Sequence, residues 1–352
     1  MSFIFAILIF SFLIFIHEFG HFITAKLSGV QVNEFSMFMG PAIWKKQKGE
    51  TLYSIRCIPI GGYCAMEGED SDSDNPKAFS SAAWWKRLLI LVAGAAMNFL
   101  AGILILAILF APVQQVNVLK LDSFEDWSTL NHADGLQVGD EILAVDGEKM
   151  YVFGNFSMML SLNPGEKHDL VINRNGQKIE LNDFNMQLHE RIDENGNTSM
   201  KYGVTFSVES LDFAGRVKYV WYTALDWVRT VRLSLQMLIT GRAGLADMSG
   251  PVGIVQQMGQ QASSAATWQE AALDMIYFGA FLAVNLAVMN LLPIPALDGG
   301  RVVALLLTTL IETATHKKLN PKYEGYIHGA GMVLLLALMA VIMLKDIIFI
   351  FK

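Results

Sequence analysis

Four long apolar runs dominate the hydropathy pattern of this 352-residue chain: Met1 to Ala25, Leu88 to Pro112, Met275 to Ala296 and Gly329 to Ile350. Each approaches the roughly 20 residues that a helix needs to cross a bilayer, so four membrane-spanning helices are expected. Between the second and third runs the chain returns to ordinary polar composition for long enough to fold as a domain of its own. Within that stretch, Glu141 to Val145 alternates Ile142 and Ala144 with Leu143 and Val145, as a strand covered on both faces does. From Thr51 to Tyr63, strand-forming residues close on Gly61-Gly62, which predicts a β-hairpin in the loop after the first run. From Gly215 to Arg242, Val217, Val220, Trp221, Leu225, Val228 and Leu235 recur at helical spacing, interrupted by Asp226, Arg229 and Arg232. An amphipathic helix lying at a membrane interface fits that pattern better than a fifth span.

Composition agrees with a membrane protein carrying a polar insert. Hydrophobic residues make up 53% of the chain and charged residues only 17%, against roughly 45–50% and about 25% in ordinary soluble domains. The first run has no basic residue ahead of its apolar stretch and no small-residue cleavage site behind it, so it is expected to remain as a span. Basic residues near the spans set orientation. The first connecting loop carries Lys26, Lys45, Lys46, Lys48, Arg56, Lys77, Lys86 and Arg87, and the third carries Arg301, Lys317, Lys318 and Lys322. Both short loops are therefore expected in the cytoplasm, with the termini and the insert outside. Cys57 and Cys64 have neither zinc-knuckle nor redox-pair spacing and read as unpaired thiols. His132, His168, His189, His316 and His328 read as surface or loop residues, and Asn98 in the second run as interhelical glue.

Against that background, the first run contains an anomaly. His17, Glu18 and His21 spell His-Glu-x-x-His inside it, and ionisable groups at membrane depth are costly enough to be functional candidates by default. Chance supplies this motif on the order of 0.006 times in a chain of this composition. Residues four apart share one helical face, so both imidazoles can converge on one cation while Glu18, offset by about 100°, reaches a water beside it. A catalytic zinc keeps three protein ligands and an open position, and it lowers the pKa of its water toward about 7. The third ligand is expected to be Asp298, in Leu297-Asp298-Gly299-Gly300. Both histidines lie in the inner half of an inward-running first span, His21 roughly 6 Å from its end at 1.5 Å per residue. Asp298 closes an inward-running third span, so all three side chains reach a similar depth from opposite ends of the sequence.

These residues carry a resemblance. His17-Glu18-Phe19-Gly20-His21, Ser249-Gly250-Pro251-Val252-Gly253-Ile254 and Asn290-Leu291-Leu292-Pro293-Ile294-Pro295-Ala296-Leu297-Asp298-Gly299-Gly300 resemble the site-2 protease family, most of all the bacterial regulator-of-sigma-E type. The likeness covers essentially the whole chain. It implies zinc bound by His17, His21 and Asp298, Glu18 as catalytic base and Asn290 as a residue that helps hold substrate. Ala133 to Gly147 looks like the core of a bacterial PDZ domain. One such domain is expected where some members of the family carry two.

The expected architecture is a polytopic α-helical membrane protein with four transmembrane helices, an inserted α+β PDZ domain and a membrane-associated β-hairpin. Residues 1–112 would form the first two spans with the hairpin loop at 27–87, residues 115–205 the extracytoplasmic PDZ domain, 210–270 the interfacial helix and linker, and 271–352 the last two spans. The hairpin is expected to dip toward the membrane interior and hold substrate extended, Ile58 and Ile60 touching it. The resemblance implies an intramembrane Zn2+ endopeptidase of the bacterial inner membrane, its active site toward the cytoplasmic side. Its partners would be single-span transmembrane substrates, membrane lipid and a peptide ligand of the PDZ domain, with no nucleic acid. Release of a sigma factor from a membrane-bound anti-sigma factor and clearing of signal-peptide remnants are the tasks it implies. A catalytically silent PDZ scaffold and a metal-ion transporter are the alternatives, separable by a zinc assay and by zinc uptake into vesicles.

Overall fold

The computed structural model describes residues 2–69, 73–163, 165–192, 198–244, 247–316 and 322–350. Lys317 and Lys318, two of the residues used to orient the chain, and the side chain of Ile60 lie outside the described set. The chain divides into two compact units, one of residues 1–106 with 227–352, the other of residues 107–226.

The first unit opens with α1 (Ser2–Ser28), followed by β1 (Val32–Lys48) and β2 (Thr51–Met66). This hairpin is larger and more folded than the sequence pattern suggests. Phe35 pairs with both Tyr53 and Cys64, and Ser36 with both Ser54 and Tyr63, while Trp44 to Lys48 pair with Ile55 to Thr51. Each long strand therefore bends back, and four strand segments lie in the order 42–48, 51–56, 32–37, 62–66. Arg56 holds the bend from inside. Its guanidinium donates to Glu34 Oε1 at 2.7 Å, Tyr63 Oη at 2.6 Å, Ser36 Oγ at 3.1 Å and the Gly40 carbonyl at 2.6 Å. Ser11, in the middle of α1, donates to the Pro59 carbonyl at 3.1 Å. The bend at Pro59 thus lies nearer the N-terminal start of α1 than His17 does, at a level within the apolar helix.

Next comes α2 (Trp84–Phe110), whose Trp84 and Trp85 stand half-exposed at its start, as interfacial aromatics do. The second unit adds β3 (Gln115–Phe124), β4 (Glu141–Val145), β5 (Glu148–Lys149), α3 (Phe156–Leu162), β6 (Lys167–Arg174), β7 (Gln177–Asn185), β8 (His189–Ile192), β9 (Thr198–Lys201) and β10 (Val204–Ser210). Its main sheet runs β10-β3-β4-β6-β7 with β5 beside β4, and β8 pairs with β9 alone. The strand expected at Glu141 to Val145 forms over those residues. Asp140, 1% exposed, receives Arg174 in a two-pronged pair at 2.8 and 2.7 Å. His168 corrects its surface assignment: it is buried, and its two ring nitrogens face Asp146 Oδ2 at 2.8 Å and the Gly165 carbonyl at 3.1 Å. That pair ties the turn after β4 to the start of β6, a contact with no local sequence signal.

The chain continues through α4 (Phe213–Ile239), α5 (Pro251–Ser264), α6 (Trp268–Asn290), α7 (Asp298–Thr315) and α8 (Lys322–Ile350). The amphipathic helix read from Gly215 to Arg242 is α4. Among the described residues, four helices are long and apolar enough to cross a membrane, over Ile4–Ser28, Trp84–Phe110, Trp268–Asn290 and Gly325–Ile348. The third expected span differs at its end. Its helix stops at Asn290, the chain turns through residues 291–297, and Asp298 opens the separate helix α7. Pro293 and Pro295 explain this, because residues before a proline leave the helical region and proline itself lacks the N–H a helix interior needs.

Candidate metal centre

Helix α1 places His17 and His21 one turn apart, and the start of α7 brings Asp298 to them. His17 Nε2 and His21 Nε2 are 3.2 Å apart, and Asp298 Oδ2 lies 3.1 Å from the first and 3.4 Å from the second. Among the described residues this is the only cluster of three His, Cys, Asp or Glu side chains whose ligand atoms converge. His21 Nδ1 faces the Ile90 carbonyl at 2.8 Å. A carbonyl only accepts, so that nitrogen carries the hydrogen and Nε2 presents a lone pair toward the cluster. Asp298 Oδ2 is buried and accepts no hydrogen bond. Electron-rich atoms this close repel one another unless a cation sits among them. Tetrahedral zinc with bonds of about 2.0–2.1 Å sets its ligands about 3.3 Å apart, which is the spacing found here. The three residues could therefore hold such an ion.

Close helix packing makes this geometry accessible. A side chain on Gly94 of α2 would reach within 2.6 Å of His17 Cε1 and overlap the His21 ring, so only glycine lets α2 lie against the imidazoles. A pair of glycines, Gly299 and Gly300, positions the carboxylate. Any Cβ on Gly299 or Gly300 would overlap the backbone of Leu291, Leu292 and Ile294, so the first turn of α7 can seat directly on the 291–297 turn. Ala296 adopts a left-handed φ of 78°, and its N–H donates to His328 Nδ1 at 3.1 Å. His328 is thus a structural residue of α8, not a loop residue. Arg301, one turn beyond Asp298, pairs with Glu69 in the segment after β2.

Glu18 follows His17 on α1 and lies beside the hairpin edge: a Cβ on Gly62 would stand 3.7 Å from Glu18 Cγ. Asn290 ends α6 with its amide 3.3 Å from His17 Nδ1. Asn98 of α2 also faces His17 Nδ1 of α1, at 3.5 Å, an interhelical contact whose partner the sequence did not name. Its position one turn after Gly94 is the signal that could have found it. Ile58 is 47% exposed and its backbone pairs with Met39, outside the cluster. Cys57 is exposed and Cys64 buried, both unpaired. Burial pushes the Cys64 thiol up, with the nearby Glu18 and Glu69 adding to it, so it offers no thiolate.

The helices define a polytopic membrane protein with an inserted β domain, and the cluster gives it the donor set of a metallohydrolase. The chain matches the model of peptidase family M50 over residues 5–338 and belongs to that family. It is 35% identical over 351 residues to a Clostridium acetobutylicum protein bearing a provisional zinc metalloprotease name, covering 98% of this chain and 96% of the relative. A similarly named Clostridium perfringens protein is 34% identical over 356 residues, covering 99% of each. The regulator of sigma-W protease RasP of Bacillus subtilis is 27% identical over 424 residues, covering 97% of each.

Proposed function

We propose that this chain is an intramembrane zinc endopeptidase that cuts within or near the membrane-spanning helix of a single-span protein. Three lone-pair atoms of His17, His21 and Asp298 converging at zinc-ligand spacing carry this reading. Zinc held there would polarise the scissile carbonyl and acidify the attacking water. Glu18 takes the proton of that water and delivers it to the leaving amine. Asn290, at the open end of α6, holds substrate.

A peptide bond inside a helix is shielded by its own hydrogen bonds, so substrate must be held extended. The segment Gly62 to Met66 is an outer edge of the hairpin and passes Glu18. An unwound substrate strand added there would bring its peptide bonds beside the base. The hairpin dips toward the membrane interior, supported by the Ser11 to Pro59 bond, and Ile58 and Ile60 contact the substrate on its approach. The inserted unit is read as an extracytoplasmic PDZ domain that docks a trimmed substrate tail or excludes bulky ectodomains. The name of the Bacillus subtilis relative favours release of a sigma factor as the physiological outcome. The short loops face the cytoplasm of a bacterial inner membrane.

The decisive variant is Glu18→Gln. Zinc content should equal that of the wild type while cleavage of a single-span test substrate falls by roughly 10²–10⁴-fold. Substantial residual proteolysis would remove Glu18 from the reaction. Comparing membrane proteomes of the two strains should reveal accumulated single-span stubs, which identify the substrates.

A further inference from the structure

His17 cannot act as a ligand through Nε2 unless its other nitrogen carries the hydrogen. Metal-binding histidines nearly always donate that hydrogen to an oxygen, which fixes the tautomer and the ring plane. For His21 the oxygen is the Ile90 carbonyl at 2.8 Å. For His17 no backbone carbonyl fills this place among the described contacts. Two side-chain amides face its Nδ1 instead: Asn98 at 3.5 Å and Asn290 at 3.3 Å.

Asn98 and Asn290 differ in surroundings. Asn98 is 1% exposed, in the interior of a 27-residue helix, and its Oδ1 is buried with no hydrogen-bond partner. Asn290 is the half-buried last residue of α6. The oxygen and nitrogen of an asparagine amide exchange places by a half-turn of the group. In one orientation Asn98 leaves Oδ1 without a donor and points Nδ2 at a ring nitrogen that already bears a hydrogen. In the other, Oδ1 accepts that hydrogen. We infer that Asn98 is a positioning residue of the metal centre: its Oδ1 accepts from His17 Nδ1–H, locks the Nε2 lone pair toward the point on which His21 Nε2 and Asp298 Oδ2 also converge, and leaves the Asn290 amide free for substrate. The inference rests on the assignment of His17 as a ligand.

The full-length protein in detergent provides the test, with Zn2+ and Co2+ affinities measured by chelator competition and the cobalt absorption spectrum as a report on ligand geometry. Asn98→Leu should weaken metal binding roughly 10–100-fold and alter the cobalt bands. Asn98→Asp, which restores an acceptor oxygen, should recover both. Where Asn98→Leu does not fold, Asn98→Ala takes its place. His17→Ala serves as the control, because unchanged metal affinity there defeats the ligand assignment itself. If His17→Ala loses metal while Asn98→Leu binds as the wild type does, the inference is overturned. It is equally overturned if Asn98→Asp fails to rescue, or if Asn290→Leu alone produces the loss.

Discussion

Asp346 is 5% exposed inside a helix apolar enough to cross a membrane, where a lone carboxylate would be prohibitively costly. Its Oδ2 accepts the backbone N–H groups of Gly250 and Gly253, both at 2.9 Å, and Lys345 pairs with its Oδ1 at 3.2 Å while also reaching the Met248 carbonyl. Helix α5 has no side-chain cap of its own at Gly250, so α8 supplies one from across the fold. This gives the Ser249-Gly250-Pro251-Val252-Gly253 motif a structural reason. Asp346→Ala should cost about 2 kcal/mol, read as a lower midpoint when the detergent-solubilised protein is unfolded with SDS. Asp346→Asn, keeping one acceptor, should cost less.

At the scale of elements, the hairpin and the α6–α7 junction depart furthest from what a periodic pattern reveals. Strand formers from Thr51 to Tyr63 made β2 legible, but the double pairing of Phe35 and Ser36 depends on Arg56 bonds to Glu34, Tyr63 and Gly40, which no alternation encodes. Proline at position 58 removes a backbone donor from β2 and restricts its conformation. Ile58→Pro should therefore abolish cleavage of the test substrate, with zinc content retained because no ligand lies in the hairpin. Undiminished turnover would end the assignment of this hairpin to substrate binding. At the junction, hydropathy ran one apolar segment through to Ala296, whereas the chain breaks at Asn290 and restarts at Asp298. The break places Asn290 and Asp298 around the same imidazole from the ends of two different helices.

For the whole molecule, division into two compact units has a measurable consequence. Asp140, which is buried, and Arg174, which is half-buried, form an ion pair within the inserted unit, and removing the guanidinium leaves a desolvated carboxylate without its cation. Arg174→Ala should destabilise that unit by about 3 kcal/mol, seen as faster amide hydrogen exchange in β4 and β6 of the full-length protein. Metal content should stay unchanged, since His17, His21 and Asp298 all belong to the other unit. The sequence alone determined the four spans, the strand at Glu141 to Val145, the amphipathic α4 and the three ligand candidates. Each of these is written in a local period or in charges that apolar surroundings tolerate only for a reason. Tertiary structure decided the rest: the folded-back hairpin, the fresh start of α7 at Asp298, the cap that Asp346 lends to α5, and the approach of Asn98 to His17. These arise where a donor meets an acceptor, or a glycine admits a neighbouring helix, between residues far apart in the chain, and such meetings leave no periodic trace along it.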